Sequence, residues 1–282
     1  MVNRSGSESK RAEKSWVPVV LIGIAIAYLA LVLYIPAINV FIQAFRKGAG
    51  PFLENLGKSE FLSAVWLTVQ LAAIAIPLNT IFGLCAAWAL TRRKFPGRAL
   101  LLSIIDLPFS ISPVVTGLML LLLYGRTGWL GPWLRAHDLK VVFAFPAMLL
   151  ATIFVSMPFV VREVIPVLEE AGAEQEEAAK ILGASEWQTF WRVTLPNIRW
   201  GLLYGLILTN ARAMGEFGAV SVVSGNLSNA TQSLPLFVED AYKQYQTEAA
   251  YSAAVLLALL AVVTLVLKEI LERKTPSKHR SE

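Results

Sequence analysis

The chain has 282 residues, 56% of them hydrophobic and only 16% charged, with a mean hydropathy of +0.58. Its long uncharged runs exclude an ordinary soluble domain, because about 20 apolar residues are enough to cross about 30 Å of hydrocarbon. In such a chain the net charge of +5 is a topology signal and not a nucleic-acid footprint, and the single cysteine, Cys85, excludes an internal disulfide and argues against a cysteine-based metal site.

The first 15 residues are polar and are expected to be a disordered tail. Val17 to Phe45 carries no charge and is too long for a signal-peptide core, so it reads as an uncleaved first span. A short polar connection follows, Arg46 to Glu60, and ends in Gly57-Lys58-Ser59. That triplet has the ending of a phosphate-binding loop. Phe52 stands where the loop needs its first glycine, and no strand pattern precedes it, so no ATP site is expected. Phe61 to Leu90 is a second span, followed by Arg92, Arg93, Lys94 and Arg98 in a tight loop. Ala99 to Tyr124 is a third span containing Asp106, Pro108 and Pro113; the prolines should break or kink it. Gly125 to Lys140 is a loop whose Trp129 and Trp133 suit an interfacial aromatic belt, and Val141 to Val161 is a fourth span. The two histidines, His137 and His279, lie far apart in polar segments and are read as solvated.

A polar stretch, residues 169–196, then separates two apolar runs. Glu169, Glu170, Glu174, Glu176 and Glu177 gather at the start of a short helix, where negative charge suits the helix dipole. Leu182 should end that helix, with Gly183 left-handed after it. Ser185 and Gln188 have capping-box spacing for a second helix, striped by Trp187, Phe190, Trp191 and Thr194. Pro196 is expected to limit it. A fifth span, Asn197 to Val223, carries Gly201 and Gly205 at the small-xxx-small spacing of closely packed helices. It also carries Arg212 and Glu216, four residues apart and about 22 Å or more along the helix from Asn197. Charges at that depth either line a path or pair to fix helix packing, and the residues alone leave both open. Gly225 to Glu248 is a polar connection with Pro235 and a short helix; Ala249 to Leu267 is a sixth span before a basic tail.

With the N-terminus in the cytoplasm, seventeen of the 25 cationic residues fall on the inner side and seven on the outer, with Arg212 inside a span. The polar stretch 169–196 lands on the same inner side, as the positive-inside rule requires.

The pattern Glu177-Ala178-Ala179, Gly183, Val193, Leu195-Pro196 resembles the EAA motif of ATP-binding-cassette importer permeases. The stretch Arg212 to Asn226, with Leu234-Pro235-Leu236 and Ser156 to Glu163, is similar to the sulfate/thiosulfate and molybdate branch of that family. The resemblance covers roughly residues 17 to 270. It implies an all-α, polytopic fold of six transmembrane helices, the type I importer permease fold, over residues 16–272, with residues 273–282 a cytoplasmic tail and both ends in the cytoplasm of a bacterial-type membrane. It implies a coupling role toward an ATPase for Glu177, Ala178, Ala179, Gly183, Trp187, Leu195 and Pro196. Arg212, Glu216 and Asp106 are the candidates for a translocation path; for Asp106, simple contact with the membrane interface is weighed ahead of transport. The implied partners are a second, similar permease, two copies of a cytoplasmic ATPase that uses ATP and Mg, an extracytoplasmic sulfate-binding protein and the lipid. No cofactor or catalytic residue is expected in this chain. A molybdate or tungstate importer is the nearest alternative. A stand-alone channel or carrier would need more charged groups in its spans than these.

Overall fold

The computed structural model describes residues 16–274; the expected N-terminal tail and most of the C-terminal one lie outside them. Among the described residues there is no strand, and the order is fourteen helices with two π-helical turns. The opening apolar run is one helix, Val17–Ala44, built of α1 (Val17–Leu29), a π turn (Ala30–Tyr34) and α2 (Ile35–Ala44). The wide turn stands just before Pro36, and the Ile35 N–H reaches back five residues to the Ala30 carbonyl. Proline clashes with the carbonyl four residues earlier, and a widened turn removes that clash without ending the helix. No residue of this span's apolar window is buried within the chain.

Helix α3 (Ala49–Leu56) leads into α4 (Ser59–Arg92). Gly57 and Lys58 form the joint between two helices, so Gly57-Lys58-Ser59 has no strand–loop–helix setting. The third apolar run breaks before Pro113 but not at Pro108, which lies inside α5: α5 (Arg98–Ser110) and α6 (Pro113–Tyr124) meet at a bend of 110°. After the short α7 (Gly131–Ala136), helix α8 (Phe145–Ala171) runs ten residues past the expected end of the fourth span, straight through Pro158 and Pro166. Glu169 and Glu170 therefore belong to its last turn, and only Glu174, Glu176 and Glu177 stand in the first turn of α9 (Glu174–Ile181).

Next come one-turn α10 (Glu186–Thr189), a π turn (Phe190–Thr194) and α11 (Leu195–Met214). Pro196 does not limit the second short helix. The Leu195 N–H bonds to the Phe190 carbonyl, the turn widens, and the chain continues unbroken from Glu186 to Met214. This is the device seen before Pro36, at the same offset from the proline. The fifth apolar run is instead interrupted at Gly215–Phe217, after which α12 (Gly218–Val223) starts. Helix α13 (Leu234–Lys243), with Pro235 in its first turn, fills the expected connection, and α14 (Thr247–Lys274) closes the described chain.

Four helices are long and apolar enough to cross a membrane, or five if the bent α5–α6 pair is one span. Helix α11 has 20 residues, but Asn197, Arg199, Asn210 and Arg212 keep it out of that class.

Helix α8 is the axis of the bundle, with α4 packed along one side and α11 along the other. Leu67, Leu71, Met148, Val155 and Val220 fill the layer near the start of α8; Ala87, Val160, Val164, Leu168 and Ile198 fill the layer near its end. Small residues permit the close crossings. A Cβ on Gly205 would lie 2.9 Å from the Val160 Cα, and one on Gly201 2.8 Å from the Glu163 carbonyl oxygen. The small-xxx-small pattern thus faces α8. Gly83 of α4 serves the same purpose against Val160 from the other side. Forcing a branched side chain into such a contact costs about 1–3 kcal/mol. Gly205→Val should accordingly lower the thermal stability of the purified protein, whereas Gly50→Ala, which meets no atom within 4 Å, should leave it unchanged or slightly higher.

Candidate coupling surface and membrane charges

The corner at 182–185 is built as local rules demand. Gly183 has φ +90°, a left-handed value that costs other residues strain. The Ser185 side chain accepts from the Gln188 N–H while the Gln188 side chain accepts from the Ser185 N–H, closing a capping box. Lys180 pairs with Glu186 at 2.7 Å across the corner. Trp187, Phe190 and Trp191 pack on one another, with centroids 5.5–6.1 Å apart. The predicted residues Glu177, Ala178, Gly183, Trp187 and Pro196 are exposed, and Ala179 and Leu195 are half-buried. Ile181 and Leu182 are 85% and 87% exposed, so the tip of the corner is apolar and uncovered. Apolar side chains held out by a rigid turn mark a contact surface.

Beneath this surface lies an anchor. Arg92, the last residue of α4, donates to both carboxylate oxygens of Glu176 at 3.1 Å. The same guanidinium donates to the Leu168 and Gly172 carbonyls at 3.0 and 2.6 Å, which are orphan acceptors at the end of α8. Thr194, in the π turn, donates to Glu176 at 3.0 Å. Four segments therefore meet on one largely buried ion pair. Arg98–Glu169 and the Asn197–Gln175 hydrogen bond add exposed ties around it.

Sequence reading missed Arg92, Glu176 and Thr194 as a unit. Arg92 counts there only toward topology, and Glu176 is one acid among five. Eighty-four residues separate the pair, and no local spacing joins them. Asn79 is a second omission. Fully buried in α4, it donates to the Ile153 carbonyl at 3.2 Å and the Ser156 hydroxyl at 2.8 Å, stitching α4 to α8.

The three candidate path residues do not converge. Asp106 of α5 pairs with Arg162 of α8 at 2.8 Å, and the Arg162 guanidinium lies over the Phe109 ring. Arg212 pairs with Glu216, which sits beyond the end of α11. Glu216 is buried, and its other oxygen accepts from the Ala219 N–H at 2.8 Å, satisfying a donor in the first turn of α12. The carboxylate thus neutralises Arg212 and holds the break between α11 and α12.

The described residues form an all-helical bundle with four or five segments apolar enough to cross a membrane and an exposed corner at one end, and the comparisons place it among membrane transport components. The chain belongs to the family of binding-protein-dependent transport system inner membrane components, which matches residues 79–276. It is 67% identical over 255 residues to the sulfate transport system permease protein CysW of Synechocystis sp., covering 90% of this chain and 92% of that one. It is 38% identical over 244 residues to the sulfate transport system permease protein CysT of Escherichia coli, covering 86% and 88%. Among solved structures it resembles a bacterial alginate ABC transporter in complex with an alginate pentasaccharide-bound periplasmic protein, with TM-score 0.76, 18% identity and coverage of 92% and 94%. The chain is a transport subunit, not an enzyme.

Arg92→Met would leave Glu176 buried without its counter-charge, a change that costs about 3–5 kcal/mol. Thermal unfolding in detergent should show the loss, and Arg92→Met combined with Glu176→Leu should recover most of it.

Proposed function

We propose that this chain is the permease subunit of an ATP-binding-cassette importer that carries sulfate or thiosulfate across the cytoplasmic membrane by alternating access. The observation that carries the mechanism is the exposed apolar corner at Ile181–Gly183, braced from behind by the Arg92–Glu176 pair. The cargo reading rests on relatives named as permeases of sulfate transport systems. Two such relatives, CysW and CysT, both align with most of this chain, which supports pairing with a second, similar permease.

In this reading the corner sits in a groove of a cytoplasmic ATPase, one copy for each permease. ATP and Mg are bound by the ATPase. Closure of the ATPase dimer draws the corners together, and because α10 runs unbroken into α11, the push enters the bundle directly. The cavity then opens outward to an extracytoplasmic sulfate-binding protein; hydrolysis returns it inward. A periplasmic protein is bound in the solved alginate transporter, which supports a partner of that kind. We assign six spans, counting α5–α6 as one and α11–α12 as one, with both termini in the cytoplasm. Glu216 and Arg212 are taken to hold the joint between α11 and α12, and Asp106 to hold α5 against α8.

Reconstitution with the second permease, the ATPase and the binding protein tests this. Uptake of labelled sulfate should require ATP, and excess molybdate should compete poorly. Gly183→Pro forces a φ near −65° where the corner needs +90°, so uptake should fall by at least tenfold; full transport by that variant would remove the coupling role. A cysteine placed at Gln188, with Cys85 replaced by Ser, should react with an impermeant thiol reagent only from the cytoplasmic side. Labelling from outside would invert the topology.

A further inference from the structure

The corner is hollow on the side that faces α4. A cavity of about 460 Å³ lies between the end of α4 and the segment formed by α10 and the π turn. Leu84, Cys85 and Trp88 of α4 and Phe190 give it an apolar side, and Arg93, Lys180 and Glu186 a charged one. A second cavity of about 360 Å³, lined mainly by charged residues, adjoins the first and shares Trp88, Arg93 and Lys180 with it. Leu84 lies eight residues before Arg92, the end of α4, so the apolar wall runs about 12 Å from the cationic loop into the span. Cys85 beside it is exposed, and the slot stays open to the outside of the chain at that depth.

Two polar groups on this slot lack partners. Thr189 is 3% exposed, and its hydroxyl makes no hydrogen bond, a state that buried polar groups normally avoid. Arg93 has its guanidinium over the Trp88 ring, 5.6 Å from the centroid, and pairs with no carboxylate among the described residues. Glu176 and Glu186 are already taken by Arg92 and Lys180. Glu177, exposed on the rim of the second cavity, is the one acid there without a counter-charge. The slot is thus apolar inside the span and cationic at its mouth.

We propose that these joined cavities hold one anionic membrane lipid, its headgroup at Arg93 and the upper part of an acyl chain along Leu84, Cys85 and Trp88. The inference rests on the importer reading and adds to it a lipid that braces the coupling corner. Depth selects the occupant. A water-soluble ATPase meets the corner from the cytoplasm and has no means of filling an apolar slot about 12 Å inside the span. A lipid carries the anion and the chain in the required order. Basic residues at the cytoplasmic surface attract anionic headgroups, and tryptophan favours that level of the bilayer. The ester oxygens next to the headgroup are acceptors for the Thr189 hydroxyl. A lipid seated there touches α4 on one side and α10 on the other, so its loss loosens the corner while the packing around α8 stays intact.

The test uses the full complex, washed in detergent, with its retained lipids counted by mass spectrometry. Wild type should keep about one phosphatidylglycerol per copy of this chain, and its sulfate uptake should be about threefold or more higher in phosphatidylcholine vesicles that contain phosphatidylglycerol than in those without it. Arg93→Gln combined with Cys85→Trp, which removes the cation and fills the slot, should lose both the retained lipid and the dependence on it. Arg93→Lys should behave nearly as wild type, separating charge from misfolding. Thr189→Val should raise thermal stability in lipid-stripped detergent, where the hydroxyl has no partner, and lower lipid retention; a merely structural threonine would not give these opposite changes. Wild type without retained phosphatidylglycerol, or a double variant that retains it equally, would overturn the proposal. So would shielding of Cys85 from a lipid-soluble maleimide in a complex that keeps no lipid, which would assign the slot to the second permease. Failure of the wild-type complex to import sulfate in any vesicle would remove the importer reading, while the lipid count still decides the site.

Discussion

One largely buried ion pair holds the corner end of this bundle together. Arg92 and Glu176 are 84 residues apart in sequence, yet every strong donor and acceptor they bring has a partner: two carboxylate oxygens, two helix-end carbonyls and a threonine hydroxyl. Partnering of this completeness is the condition under which a buried charge pair is tolerable, because desolvation otherwise exceeds the attraction. A pair of leucines would pack there without specifying direction. The guanidinium's planar fork fixes the end of α8 and the start of α9 relative to α4, and the Glu176 carboxylate ties in the π turn before α11 through Thr194. In the proposed coupling role, force applied at the exposed corner would be delivered to α4, α8 and α11 at once.

Proline shapes the same path in an unexpected sense. Pro77, Pro158 and Pro166 stand inside long helices, and Pro36 and Pro196 each follow a π turn that lets the helix pass. A helix stopping at Pro196 would place a joint between the exposed corner and α11. The widened turn replaces that joint with a continuous helix, and Thr194 within it carries one of the hydrogen bonds to Glu176. Real breaks fall elsewhere, at 111–112 and at Gly215–Phe217. There α6 and α12 turn toward each other and pack through Gly117 and Gly218.

What the sequence revealed and what it concealed follow from the range of the interactions. The Gly183 corner, the Ser185–Gln188 capping box, the Gly201–Gly205 face and the break near Pro113 are set by residues within about four positions of one another, and all four were readable. The passage through Pro196 was not, because the rule that proline ends a helix assumes normal α turns. Arg92–Glu176 and Asn79–Ser156 were invisible for a different reason. Each joins residues that only the packing of α4 on α8 brings together, and an arginine in a basic loop looks the same whether it is solvated or buried. The pairing of Asp106 with Arg162 and the capping by Glu216 belong to the same class of long-range or turn-specific contact.

These pairings also bear on what the bundle does with its cargo. Arg162 and Arg212 stand within α8 and α11, and each is matched by a carboxylate, Asp106 and Glu216. A dianion entering a low-dielectric space beside an unmatched arginine would bind tightly and leave slowly, since attraction there is poorly screened. Conduction needs sites weak enough to release what they admit. Matched pairs lower the local affinity while keeping the helices in register. In the proposed importer, discrimination between anions is then made before entry, at the extracytoplasmic protein. In that reading the permease supplies shape, timing and a path that does not compete for the ion, which is why the proposed coupling end of this chain is so much more legible than its cargo.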